Sequence, residues 1–150
     1  MVKTAQEALQ IACEMEKRAV KMYQRGAMLF PHLKEHLYSY ELEERAHLAG
    51  FRKMGEKLGG ATGEDQVLLS AYAASVIFPG GLMEANRENA FTDLASFLAY
   101  AAGQEQEAIR RYTEFASLCQ SDEARDMFLA IAHEEEGHYA ALMSQAEEAK

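Results

Sequence analysis

Polar and apolar positions alternate with the period of an α-helix over four long stretches of the chain. In the second stretch the like-facing positions step by four and three residues through Leu33, Leu37, Tyr40, Glu44, His47, Phe51, Met54 and Leu58. Residues so spaced stay on one side of a helix that turns every 3.6 residues, so they share a face. The first stretch reads Ala5, Leu9, Ala12, Glu16, Ala19, Tyr23, Gly26, Phe30, and the third Leu94, Leu98, Ala101, Glu105, Ala108, Tyr112, Phe115, Cys119. The fourth reads Ala124, Phe128, Ile131, Glu135, His138, Leu142, Gln145. In every stripe the fourth position is a glutamate.

The punctuation between the stripes agrees with four helices, predicted over 4–29, 32–58, 93–119 and 122–147. Gly26 and Pro31 mark one break, Gly59-Gly60-Ala61-Thr62-Gly63 a second and Pro79-Gly80-Gly81 a third. Thr4 with Glu7 forms a capping box, Thr92 or Asp93 can cap a helix from Leu94, and Ser121-Asp122-Glu123 opens the last one. Short connections make helices 1 and 2, and helices 3 and 4, antiparallel hairpins. The connection between the hairpins is long enough to run the length of a bundle, and its apolar run Val67 to Phe78 is a candidate for a short extra helix. The halves resemble each other: EKRAVKMY (16–23) matches EQEAIRRY (105–112), and EERAH (43–47) matches EEEGH (134–138). A duplicated helical hairpin predicts an all-α four-helix bundle with a pseudo-twofold axis, built as one domain over 1–150.

Composition narrows the function classes. The net charge of −9, with only 15 Lys and Arg spread along the chain, argues against nucleic acid as a partner. Two isolated cysteines, Cys13 and Cys119, offer neither a disulfide framework nor a CxxC metal site, and they suit a reducing cytoplasm. The first residues carry no apolar segment of the secretory type, and the run Val67 to Phe78 is too short to span a membrane.

The stripes raise the chemical question. Four glutamates and two histidines placed toward a core cannot remain ionised and unpaired, since a lone buried carboxylate costs several kcal/mol or takes up a proton. Two divalent cations would compensate four carboxylates, and two neutral imidazoles would complete the ligand set. Residues i and i+3 share a helix face, so Glu44 with His47, and Glu135 with His138, can each aim two ligands inward. Mixed oxygen and nitrogen ligation suits iron or manganese better than calcium or magnesium, while zinc more often takes fewer ligands. Iron is the expected metal, with manganese or zinc as substitutes.

One Glu from each of two helices and a Glu-x-x-His from each of the other two is the ligand pattern of ferritin-like dimetal bundles. Through Glu16, Glu105, Glu44/His47 and Glu135/His138 the chain resembles the ferritin-like di-iron superfamily, and within it rubrerythrin-type proteins without a rubredoxin domain. The resemblance runs from about residue 4 to 145. It implies that Glu44 and Glu135 bridge two irons, with Glu16 and His47 terminal on one and Glu105 and His138 on the other. It also implies reaction with peroxide or O2, an external electron donor and a homodimer. Two departures bear on the reaction. No cysteine pairs are present for a rubredoxin centre, and Ala108 stands where peroxidases of this type tend to carry a further carboxylate. The alternative is an iron-binding, storage or delivery protein without turnover.

Other residues have two readings. Tyr23 and Tyr112, two turns beyond Glu16 and Glu105, either hydrogen-bond a ligand carboxylate or pack in the core, and Tyr40, one turn before Glu44, shares that ambiguity. Glu43 and Glu134 either orient a histidine of the opposite half or stand in solvent, and solvent is the expectation. His32, His36 and His133 lie off the stripes and read as surface residues. Cys13, Cys119 and the methionines read as packing residues. The apolar residues from Val67 to Met83 are a candidate dimer interface or cover for their own bundle.

Overall fold

The computed structural model describes residues 2–59, 71 and 89–150. Among them the architecture is all-α: four long helices, α1 (Ala5–Leu29), α2 (Lys34–Lys57), α3 (Leu94–Ala116) and α4 (Asp122–Glu148), with a short 3-10 turn at Pro31–Leu33. The short extra helix expected from Val67 to Phe78 and the interface expected from Val67 to Met83 fall, but for the helical Ala71, outside the described residues. No described helix is long and apolar enough to cross a membrane.

Local chemistry sets each boundary. Thr4 Oγ1 accepts from the Glu7 amide at 3.1 Å, while the Glu7 carboxylate accepts from the Lys3 amide at 2.9 Å, one residue earlier than a standard capping box. Phe30, which precedes Pro31, leaves helical geometry at φ −126° and ψ 74°, as the residue before a proline tends to do. The first turn expected for the second helix is the 3-10 turn instead. α2 closes at Gly59, whose φ of 84° is a left-handed position that glycine occupies without penalty. Asp93, not Thr92, caps α3, accepting from the Ser96 amide at 2.8 Å. α3 ends at Ala116, three residues short of expectation, because the Ser117, Leu118 and Cys119 amides bond three residues back and tighten the last turn. Ser121 caps α4, with Asp122 and Glu123 at the positive end of its dipole.

α1 packs along α2 and α3 along α4, which makes the two hairpins, and a thinner seam joins α1 to α3. The core is two apolar clusters with a polar layer between them. One gathers Leu9, Ile11, Phe51, Met54, Tyr112, Phe115 and Phe128, and the other Tyr23, Leu37, Tyr40, Phe97, Leu98 and Leu142. Rings interlock within each cluster: Phe51 lies 5.1 Å from Phe128 and 5.2 Å from Tyr112, centroid to centroid. Each such side chain contributes about 1.5–3 kcal/mol by leaving water. That apolar burial holds the polar layer in place.

Candidate metal centre

The polar layer consists of the six side chains at the stripe positions. Glu16, Glu44, Glu105 and Glu135 are each at most 2% exposed, and His47 and His138 are each 5% exposed. Each comes from a different turn of the bundle: Glu16 from α1, Glu44 and His47 from successive turns of α2, Glu105 from α3, Glu135 and His138 from successive turns of α4. Their ligand atoms form two overlapping sets, Glu16, Glu44, His47 and Glu135 in one and Glu44, Glu105, Glu135 and His138 in the other, with all atoms of a set within 4.8 Å of one another. Glu44 and Glu135 belong to both.

The two sets repeat each other closely, as the pseudo-twofold relation of the hairpins requires. His47 Nδ1 lies 3.1 Å from Glu135 Oε1, 3.4 Å from Glu44 Oε1 and 3.6 Å from Glu16 Oε1. His138 Nδ1 lies 3.3 Å from Glu44 Oε1, 3.4 Å from Glu135 Oε1 and 3.6 Å from Glu105 Oε1. None of these approaches is aligned as a hydrogen bond. Glu16 Oε2, Glu44 Oε1, His47 Nδ1, Glu105 Oε2, Glu135 Oε1 and His138 Nδ1 are all buried without a hydrogen-bond partner. One orphaned atom on each of six residues, in a layer whose ligand atoms gather into two close sets, suits the binding of metal ions. Unpartnered buried polar atoms are otherwise rare, at about 1–3 kcal/mol each.

The second polar atoms of Glu16, Glu105, His47 and His138 are satisfied from outside the cluster. Tyr112 donates to Glu16 Oε1 at 2.7 Å, and Tyr23 donates to Glu105 Oε1. Each tyrosine thus reaches across to the glutamate of the other hairpin, and Oε2 of that glutamate is left without a partner. Tyr40 contributes ring contacts, 5.5 Å from Tyr23 and 5.1 Å from His138. His47 Nε2 meets Glu134 Oε2 at 2.5 Å, and His138 Nε2 meets Glu43 Oε2. A carboxylate can only accept, so Nε2 of each ring carries a proton and Nδ1 is the atom turned inward.

This corrects the solvent reading of Glu43 and Glu134. Their side chains are half-exposed, at 52% and 59%, yet each holds the histidine of the opposite half. The signal was present in the repeat, where both precede their paired glutamates, but spacing alone puts them off the stripe. His32, His36 and His133 are exposed as expected, and Cys13 and Cys119 are buried free thiols. The stripe rule did not single out Glu41, buried beside Arg45 at 2.9 Å and Gln24 at 3.2 Å.

Without a metal, protons balance the charge. Burial, reinforced by the neighbouring Glu44 charge, pushes the Glu16 carboxyl up to about 8 and raises Glu135 well above the usual range. Burial also opposes ionisation of Glu44, but the histidines on either side outweigh it and hold that carboxyl down at about 2. Burial disfavours charge on the imidazoles as well, yet the surrounding carboxylates win, raising His47 strongly and His138 to about 11. Tyr23 and Tyr112 are raised well above 10 by burial first and then by Glu105 and Glu16 respectively, so both remain protonated donors.

No curated protein and no solved structure matches the chain. The family model described as Rubrerythrin matches residues 7–144, a span that reaches from the first turn of α1 to the last turns of α4 and includes all six residues of the polar layer. The chain belongs to the rubrerythrin family.

Proposed function

We propose that this chain is a non-haem di-iron oxidoreductase that reduces peroxide or O2 with electrons from an external donor. The observation that carries the reading is the set of six buried ligand atoms, orphaned together and divided into two groups that share Glu44 and Glu135. In this reading Glu16, Glu44, His47 and Glu135 would hold one metal and Glu44, Glu105, Glu135 and His138 the other, with Glu44 and Glu135 common to both. Two irons so held would supply the two electrons that a peroxide O–O bond takes up.

The chain's own groups have defined parts. Tyr112 and Tyr23 donate to Oε1 of Glu16 and Glu105 and so fix the orientation of those two carboxylates. Glu134 and Glu43 hold the Nε2 protons of His47 and His138, setting the tautomer that presents Nδ1. The apolar clusters cover the layer on two sides.

Metal analysis of protein grown with iron, followed by anaerobic titration with H2O2 and with O2, tests this. Two irons per chain, a spectral change on oxidant and turnover on added reductant support catalysis. Glu44→Ala removes a residue common to both groups and should abolish paired binding; two irons bound normally would refute the ligand assignment. The net charge of −9 also favours attracting cations, so iron handling without turnover is the second reading. Iron uptake well beyond two per chain, with no peroxide consumption, would favour it.

A further inference from the structure

A cavity of about 280 Å³ lies between α1 and α3 and reaches the four buried glutamates. Its origin is legible in the stripes. One turn beyond their glutamates, α2 and α4 carry His47 and His138, whereas α1 and α3 carry Ala19 and Ala108. The imidazoles fill one side of the layer, and the alanines leave the α1–α3 side open. Met15 and Met22 extend the apolar wall outward from Ala19. Lys17, Arg18 and Lys21 stand along its α1 edge.

The space is larger than the small oxidants need. H2O2 occupies about 60 Å³, twice the share of one water, while a dry cavity of about 150 Å³ accommodates benzene, so this one, even less the space two metal ions would take between its four glutamates, has room for a chain of several carbon atoms. Charge orders the occupant. Glutamates at the inner end disfavour an anion there, while Lys21, exposed and without an ion-pair partner among the described residues, favours one at the edge.

The geometry points to a binding site for a medium-chain organic hydroperoxide that carries a carboxylate at its far end. The carboxylate rests by Lys21, the chain lies along Met15, Ala19 and Met22, and the hydroperoxide group reaches the glutamate layer. The inference rests on the redox reading above. The reaction is ROOH + 2 e− + 2 H+ giving ROH + H2O: the O–O bond breaks and the hydroperoxide is reduced by two electrons, which dithionite supplies in the test.

The first measurement uses the metal-free full chain, titrated with octanoate and with octan-1-ol by calorimetry. Octanoate is expected to bind at one site per chain, and Ala19→Phe, which fills the cavity, should abolish that binding. Lys21→Glu, a change on exposed surface where folding is not at stake, should weaken octanoate about two- to fivefold and leave octan-1-ol unchanged. Next, metal-loaded protein reduced with dithionite receives 8-hydroperoxyoctanoate or H2O2, and formation of 8-hydroxyoctanoate with a KM below that for H2O2 is expected. Absence of octanoate binding, or equal binding by Ala19→Phe, overturns the site even if H2O2 is consumed. Octanoate binding with neither peroxide consumed overturns the hydroperoxide as substrate and falls on the redox reading itself.

Discussion

At the level of single residues, the centre is defined by which atom of each side chain is left without a partner. Glu134 pairs with His47 and stands 59% exposed, so its removal tests orientation with little disturbance of the core. Glu134→Ala should weaken binding of one metal of the pair about 10–100-fold, the usual consequence of freeing a ligand histidine from its carboxylate. Glu134→Gln keeps an acceptor oxygen and should lose less. Competition against a chelator of known affinity measures both, and unchanged affinity in the alanine variant would show that His47 is held by its helix alone. Since Glu43 holds His138 in the same way, Glu43→Ala should reproduce the loss at the other metal.

At the level of elements, the register between hairpins depends on one close approach. Gly26 of α1 faces Phe97 of α3 so closely that a Cβ there would stand 2.3 Å from the ring's Cζ. Phe97 is fully buried between Phe30, at 5.5 Å, and Phe91, at 5.7 Å, so its ring must shift against them to admit a methyl group. Alanine is the better helix former by about 1 kcal/mol, but overpacking of a tight core costs about 1–3 kcal/mol. Gly26→Ala should therefore lower the thermal midpoint despite its higher helix propensity, and Gly26→Val should lower it further. A midpoint that rises in Gly26→Ala would mean that the seam between α1 and α3 is loose enough to repack.

At the level of the whole molecule, metal binding and protonation compete for the same buried atoms. Near neutral pH the metal-free layer carries protons on Glu16, Glu135, His47 and His138, because all four are raised by burial or by the surrounding carboxylates. Coordination needs those carboxylates ionised and Nδ1 of each ring bare, so loading must expel protons. The sign follows: the metal-free form binds more protons than the loaded form, hence metal affinity rises with pH and acid releases the metals. Calorimetry at pH 7 in buffers of different ionisation enthalpy should report roughly two to four protons released per chain on loading. A release of zero would mean that the layer is already ionised and that something other than protons balances it.

The helical period, the capping residues and the duplicated hairpin determine four helices and their pairing by themselves, because those are local preferences and repeated spacing. The same stripes determine the six polar residues of the layer, since four glutamates at matching positions of apolar faces have no other economical arrangement. What spacing could not decide is anything that depends on how one hairpin meets the other. Tyr23 reaching Glu105, Tyr112 reaching Glu16, and Glu43 and Glu134 reaching across to His138 and His47 join residues 82 to 96 positions apart in sequence. A half-exposed glutamate reads as solvated until the facing helix brings an imidazole to it. The open side at Ala19 and Ala108 is likewise a property of two helices together: each alanine alone is an ordinary core residue, and only their apposition leaves a space beside the centre.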